Sequence, residues 1–307
     1  MFTRVLAPID THPDAIVSVA LAEQIARHTH AELFLMRVVP DATSKGDVVA
    51  HRESLERLAA DITVRGGLEP HIEVVTGRPD ARILETAERE DVDLIVLAPH
   101  ARAGLDALRH RSVTTRLISH TAVPLLVAPE HNIGSWPAGL LSAATSLVIV
   151  PVDGTALSEQ AIGIGERIAE TWERPLLLLR VIEPFSLYGA GPTTTLLERQ
   201  LSEEDAQQAH SVLSNLRARV ARQTNVAVEA MVKQGAADRV IAQAADSYPG
   251  SLIVMSTHGR KATERAVLGS VALNVLRRSH EPTLILPPMA VMRRAMAHAG
   301  ATAELEW

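Results

Sequence analysis

The sequence contains no cysteine, and this absence excludes several kinds of chemistry at once. Without thiols the chain has no disulfide, no thiolate nucleophile and no cysteine-ligated zinc site. Aromatic residues are also scarce, at 3% of the 307 residues. The core must therefore consist mainly of valine, isoleucine, leucine and alanine. Such a composition is typical of strands that are covered by helices on both faces.

The sequence also lacks long apolar runs and any excess of positive charge. Its longest apolar runs, such as Pro175–Leu179 and Ser146–Val152, are far too short to cross a bilayer. The N-terminal segment does not have the pattern of a signal peptide. A formal net charge of −6 gives no general attraction to nucleic acid. We therefore expect a cytoplasmic protein that binds neither membranes nor nucleic acid.

What the sequence does contain is an internal repeat, which divides the chain into two copies of one domain. Arg4–Asp10 aligns with Leu147–Asp153 at an offset of 143 residues, and Gly77 aligns with Gly235 at an offset of 158 residues. The second copy therefore carries 15 additional residues before Gly235, around Pro184–Leu201. We refer to the two halves as copy one and copy two.

The repeat defines the expected domain organisation. Copy one occupies residues 1–129 and copy two residues 145–288, with a linker at 130–144 that contains glycine and proline. Residues 289–307 form a C-terminal tail that we expect to fray.

Each copy alternates short aliphatic runs with helical stretches, which predicts right-handed βαβ units and a parallel sheet. In copy two we predict strands at 147–152, 175–181, 226–232, 252–256 and 283–286, and helices near 158–171, 202–223, 237–247 and 270–279. The predicted fold class is α/β. It consists of two tandem doubly wound domains, each a five-stranded parallel sheet of order 3-2-1-4-5 flanked by helices.

Distinctive residues of copy two lie where such a domain binds ligands. In open α/β sheets this place is beyond the carboxyl ends of the strands, where the strand order reverses. Asp153 follows strand one, Ser256–Gly259 follows strand four, and Gly269–Val271 opens the last helix. Glycine lets backbone N–H groups approach a phosphate, and a helix N-terminus favours an anion. The sequence therefore predicts a phosphate site in this crevice.

The stretch Ser256–Val271 (STHGRKATERAVLGSV) resembles the Gly-x2-Gly-x9-Gly-Ser/Thr signature of nucleotide-binding members of the universal stress protein family. Ser256 replaces the first glycine of that signature, and its hydroxyl group can join the phosphate contacts. The resemblance covers both copies and implies a tandem member that binds ATP and acts in stress-response regulation. Mg²⁺ and Mn²⁺ are the candidate cations on the phosphates.

The resemblance also implies which residues contact the nucleotide. Asp153 would lie near the adenine and the ribose, the Val181 backbone would contact the adenine, and the loop would hold the ribose and the phosphates. The predicted nucleotide-binding residues are Pro151, Asp153, Val181, Ser256, His258, Gly259, Arg260, Gly269, Ser270 and Val271. We predict no catalytic and no metal-ligating residue.

Copy one departs from this pattern. It keeps Asp10 and Val38, but Ala98, Ala101 and Arg111 occupy positions that hold small loop residues in copy two. Arg111 places a long side chain where the backbone would meet a phosphate, although a guanidinium group can bind an anion directly. We expect copy one not to bind a nucleotide.

Each predicted contact residue also has a purely structural interpretation. Gly259 and Gly269 can be ordinary turn and helix-boundary glycines, and Asp153 can be a cap for the following helix. For His258 a loop role is favoured over catalysis or metal binding, because no second histidine or carboxylate lies near it at ligand spacing. Arg260 either screens phosphate charge or belongs to a solvated loop.

Three functions remain open on the sequence alone: a nucleotide-binding regulator, a slow ATPase or phosphotransferase, and a ligand-free assembly scaffold. Arg260, Lys261 and Ser270 are available for phosphoryl transfer, but neither a Walker lysine nor a general base is evident, so efficient turnover is not indicated. The final strands Pro124–Val127 and Pro282–Leu286 are apolar sheet edges. The resemblance implies that such strands pair between domains, so we expect an intramolecular pseudo-dimer and also a homodimer.

Overall fold

Strands and helices alternate in the computed structural model, which describes residues 1–10, 15–98, 113–129, 140, 146–183, 196–257 and 269–287. The elements of copy one are β1 (Arg4–Pro8), α1 (Ala15–Thr29), β2 (Glu32–Val39), α2 (Lys45–Gly66), β3 (His71–Thr76), α3 (Pro79–Arg89), β4 (Leu94–Leu97), α4 (Val113–His120) and β5 (Leu125–Val127). Those of copy two are β6 (Val148–Pro151), α5 (Ala156–Thr171), β7 (Leu176–Ile182), α6 (Leu196–Val220), β8 (Val228–Gln234), α7 (Ala237–Asp246), β9 (Leu252–Ser256), α8 (Ser270–Arg278) and β10 (Thr283–Leu286).

The described strands form one sheet, of order β3-β2-β1-β4-β5-β10-β9-β6-β7-β8. Within each copy neighbouring strands are parallel. The predicted α/β class and the order 3-2-1-4-5 are therefore confirmed in both copies. The strand order reverses between β1 and β4 in copy one and between β6 and β9 in copy two, which fixes the position of each crevice.

The two copies join through their last strands. β5 and β10 run antiparallel and pair Leu126 with Leu284 at the centre, so the edge strands of the two five-stranded sheets lie in the middle of the larger sheet. On one face α1 and α5 meet across this seam. The ring of His28 stacks on that of Trp172 with centroids 4.6 Å apart, and the His28 Nε2 atom lies 2.8 Å from the carbonyl oxygen of Thr171.

Helices cover both faces of the sheet, and an aliphatic layer is buried beneath each set. One layer lies beneath α1, α2, α5 and α6, and the other beneath α3, α4, α7 and α8. Alternating strand residues supply the two layers, so that Leu35 joins the first and Met36 the second. Among the described residues, no helix combines the length and the apolar character needed to cross a membrane.

Of the residues predicted to form the linker, the structure describes Leu140. This residue is buried, and its N–H group donates to Oε1 of Gln24 at 2.8 Å while its carbonyl oxygen accepts from Nε2 of Gln24 at 2.9 Å. The side-chain amide of Gln24 thus satisfies both backbone groups of Leu140. This contact holds Leu140 against α1.

Candidate functional site

The chain leaves the carboxyl end of β6 through a turn that carries Asp153 into the crevice of copy two. The Asp153 Oδ1 atom accepts hydrogen bonds from the backbone N–H group of Thr155 at 3.0 Å and from its hydroxyl group at 2.6 Å. The Asp153 N–H group donates to Oγ of Ser158 at 3.2 Å. Gly154 lies between them with φ of 83°, a conformation that glycine adopts without strain. Residues 153–158 therefore form one hydrogen-bonded turn.

Thr155, rather than Asp153, is the N-cap residue of α5. Its backbone is extended, with φ of −90° and ψ of 152°, and its Oγ1 atom accepts from the N–H group of Ser158 at 3.2 Å. The same hydroxyl group donates to Asp153. The half-buried Asp153 is thus anchored to the start of α5 without being its cap. The capping role that the sequence also allowed for Asp153 belongs to Thr155.

On the other side of the crevice, β9 ends at Ser256 and α8 begins at Ser270. The N–H group of Gly269 donates to the carbonyl oxygen of Thr257 at 2.7 Å, which ties the start of α8 to the end of β9. Gly269 has extended backbone and no side chain to cap the helix. Ser270 is exposed and Val271 is half-buried. The first turn of α8 therefore presents backbone N–H groups suited to an anion.

The end of β7 directs backbone groups toward the same crevice. The N–H group of Val152 donates to the carbonyl oxygen of Leu179 at 2.8 Å, so Leu179 faces the β6 side of β7. Residues two apart in a strand direct their backbone groups to the same side. Val181 therefore faces that side too, beyond Pro151, at which β6 ends. This orientation gives the Val181 backbone access to a ligand lying over β6.

Arg180 is a crevice residue that the sequence analysis missed. Its Nη1 atom donates to the carbonyl oxygen of Val152 at 3.2 Å, directly before Asp153. The counterpart in copy one, Arg37, has its Nε atom 3.5 Å from the carbonyl oxygen of Ile9. Arg37 is only 8% exposed, and burial lowers its pKa, while the nearby charge of Asp10 acts in the opposite direction.

The repeat itself contained the signal that would have found these two arginines. Both second strands end in the same pair of residues, arginine followed by valine, in the aligned runs LFLMRV and LLLLRV. Only the valine was assigned a role from the sequence. The arginine contacts join β7 to β6 and β2 to β1, and they keep the ends of the strands together at each crevice.

The predicted site residues fall into two groups. His258, Gly259 and Arg260 lie outside the described residues, as do Ala101 and Arg111 of copy one. The structure brings the other predicted residues to the carboxyl edge of the copy-two sheet: Pro151, Asp153, Val181, Ser256, Gly269, Ser270 and Val271. Within the ranges that the structure describes, histidine and acidic side chains do not gather in groups of three that could hold a metal ion.

Comparison with known proteins identifies the family to which these features belong. The model of the universal stress protein family matches residues 1–129 and 146–287. The chain belongs to the universal stress protein family. A universal stress protein of Methanocaldococcus jannaschii is 27% identical over 141 residues, which cover 45% of this chain and 80% of that protein.

A solved structure that spans both copies supports the same fold. A universal stress protein from Archaeoglobus fulgidus is 15% identical, with a TM-score of 0.67, and the match covers 93% of this chain and 96% of that one. The structure of a universal stress protein in complex with cAMP matches 46% of this chain and 96% of its own, at 23% identity and a TM-score of 0.36. The tandem arrangement is therefore shared with a full-length neighbour of known structure.

Proposed function

We propose that copy two of this universal stress protein binds ATP in the crevice between β6 and β9 and thereby acts as a stress-response regulator. One observation carries the proposal. The anchored carboxylate of Asp153 and the glycine-led N-terminus of α8 follow two adjacent strands, β6 and β9, at the point where the strand order reverses. A nucleotide has complementary groups for both: hydroxyl groups on its sugar and negative charge on its phosphates.

The described residues fit an adenine nucleotide in three respects. The Asp153 carboxylate accepts hydrogen bonds from hydroxyl or amino groups. The first-turn N–H groups of α8, with the exposed Ser270 hydroxyl, donate to phosphate oxygens, and the helix dipole favours their charge. The Val181 backbone faces the same crevice and offers a donor and an acceptor to the base. Mg²⁺ or Mn²⁺ would accompany the phosphates and neutralise part of their charge.

Binding would regulate by stabilising one arrangement of the loops at the crevice over others. The pairing of β5 with β10 supports an intramolecular pseudo-dimer, in which copy one serves as a partner for the nucleotide-binding copy. A homodimer is a separate expectation. Because β5 and β10 already pair with each other within one chain, a homodimer would need a different surface.

The test is thermal unfolding of nucleotide-free protein with and without millimolar Mg-ATP. A ligand at 100 times its Kd stabilises the folded state by about 2.7 kcal/mol, so we expect ATP to raise the Tm of the wild-type protein. Gly269→Arg should abolish that rise, because it repeats the arginine of copy one at the start of α8. Gly46→Arg introduces the same side chain at an exposed position of α2 in copy one and should leave the rise intact.

The alternatives give different results in the same experiments. If ATP does not raise the Tm of the wild-type protein, the nucleotide proposal is wrong and a ligand-free assembly scaffold becomes the better description. ATP turnover that disappears in Gly269→Arg but persists in Gly46→Arg would favour a slow ATPase. Equal loss of the Tm rise in both variants would exclude the start of α8 as a specific phosphate contact.

A further inference from the structure

The two copies share the aspartate at the end of their first strand but differ in the residues that follow it. Asp10 aligns with Asp153, whereas the positions of Thr155 and Ser158 are occupied in copy one by histidine and alanine. The hydroxyl groups that contact the aspartate in copy two are therefore missing from the sequence of copy one. This second difference between the copies is independent of the glycine loop.

The hydroxyl group of Thr155 has a fixed direction because it makes two hydrogen bonds of opposite sense. It donates its single proton to Oδ1 of Asp153 at 2.6 Å and accepts from the Ser158 N–H group at 3.2 Å. A bond from a hydroxyl group to a carboxylate is short and strong. The Thr155 N–H group adds a second bond to the same Oδ1 atom at 3.0 Å. Together these bonds fix the plane of the carboxylate at the crevice.

The charge of the carboxylate decides which part of a nucleotide can lie beside it. A carboxylate repels phosphate but accepts hydrogen bonds from hydroxyl groups. The phosphates therefore belong at the N-terminus of α8, across the strand-order reversal, and the sugar belongs at Asp153. An oriented carboxylate that accepts from a sugar hydroxyl distinguishes nucleotides that have this hydroxyl group from those that lack it.

We propose that Thr155 is a positioning residue of the nucleotide site, which orients the Asp153 carboxylate to accept a hydrogen bond from a ribose hydroxyl. The inference rests on the proposed binding of a nucleotide by copy two. It adds a specificity to that site: copy two prefers a ribonucleotide to a deoxynucleotide, and the preference depends on Thr155.

The experiment is a calorimetric titration of nucleotide-free, full-length protein with ATP, 2′-deoxy-ATP and 3′-deoxy-ATP. Because a hydrogen bond to a charged group contributes about 1.5–3 kcal/mol, the wild-type protein should prefer ATP to one deoxy analogue by on the order of tenfold or more. Thr155→Val should weaken ATP binding by a similar factor and leave binding of that analogue nearly unchanged. Thr155→Ser keeps the hydroxyl group and should restore the preference.

A further variant separates positioning from helix capping. Thr155→Gly cannot donate to Asp153, and glycine is about as good an N-cap residue as threonine, so this variant should keep the Tm of the ligand-free protein close to that of the wild type and still lose the preference for ATP. If Thr155→Val weakens all three nucleotides by the same factor, or if the wild type does not discriminate among them, the inference is wrong. Failure of the wild type to bind any of them would overturn the proposed function as well.

Discussion

Copy one and copy two have nearly the same backbone connections at the ends of their first two strands, although only copy two keeps the glycine-containing loop. The N–H group of Ile9 donates to Met36 at 2.7 Å, and its counterpart Val152 donates to Leu179 at 2.8 Å. The glycines that follow the third strands, which align with each other, have φ values of 133° and 142°. The backbone at the ends of the first three strands is therefore alike in both copies.

The ion pairs near the start of α3 differ between the copies. In copy one Asp80, near the start of α3, pairs with Arg78 at 2.7 Å and with Arg116 of α4 at 3.4 Å, and the hydrogen bond from Arg78 is the largest cause of a lowered Asp80 pKa. Copy two has alanine and asparagine at the two arginine positions. The aliphatic pattern therefore specifies the same strand order in both copies, while charged residues near the helix starts differ between them.

The largest effect on stability is expected at the seam, where the copies contribute unlike residues. Trp172 is 8% exposed, stacks on His28, and borders a small apolar cavity with Leu126 and Leu284. Its position in copy one holds Thr29. Trp172→Ala should lower the free energy of unfolding by about 3–5 kcal/mol, measured by chemical denaturation. Thr29→Ala is the matched control and should cost less than about 1 kcal/mol; similar costs for the two variants would contradict this asymmetry.

A smaller effect is expected beneath α5, where the copies distribute volume differently between helix and strand. A Cβ atom added at Gly165 would lie 2.6 Å from the Val150 Cγ2 atom. Copy one has Ala22 and Ala7 at the corresponding positions, and both are fully buried. Gly165→Ala should therefore destabilise the protein by about 1–3 kcal/mol through overpacking, although alanine favours a helix more than glycine does.

The compensating change in the strand tests whether this contact is the cause. Val150→Ala alone removes buried methyl groups and should also destabilise the protein, by about 1–3 kcal/mol. The double variant rebuilds the alanine pair of copy one. Its loss of unfolding free energy should be smaller than the sum of the losses in the two single variants. We expect the difference, measured by chemical denaturation, to be about 1 kcal/mol or more. Strictly additive effects would show that Gly165 and Val150 do not compete for the same space.

Much of the fold could be predicted from the sequence, because buried parallel strands leave an aliphatic pattern that appears twice. The predicted strands at 252–256 and 283–286 have the observed bounds. The strand predicted at 226–232 lies instead at Val228–Gln234, since its pairing with β7 continues as far as Ile182 and includes polar edge residues. The helix predicted from residue 158 begins at Ala156, because its cap is Thr155.

Less of the site could be predicted, for a physical reason. Asp153 and Gly269 stand out in the sequence by residue type and position, and the structure places both at the crevice. Thr155 and Arg180 were not predicted, because neither residue type indicates which group it contacts. Arg180 contacts a carbonyl oxygen that lies 28 positions earlier in the chain, and a sequence pattern does not show contacts formed between neighbouring strands. Tertiary contacts of this kind become visible only when the strand register is known.

The smallest effect is expected at a glutamate that both copies place on their first helix. Glu23 forms ion pairs with Arg27 at 2.6 Å and with Arg65 at 3.2 Å. Its counterpart Glu166 has a buried Oε1 atom without a hydrogen-bond partner, and the position of Arg27 holds Glu170 in copy two. The same residue type therefore has opposite electrostatic environments in the two copies.

Burial raises the pKa of Glu166 above its ordinary value of 4.5, the charge of Glu170 raises it further, and Arg219 acts against both. Because the folded state then holds the Glu166 proton more tightly than the unfolded state, the ionised side chain opposes folding at neutral pH and this cost disappears in acid. Glu166→Gln should therefore raise the Tm near pH 7, and the gain should shrink as the pH falls toward 4.5. Glu23→Gln should instead cost about 0.2–1 kcal/mol near pH 7. Thermal unfolding of the two variants between pH 4.5 and pH 7 measures both effects. A loss of stability in Glu166→Gln as well as in Glu23→Gln would mean that the surroundings stabilise ionised Glu166, as they do Glu23.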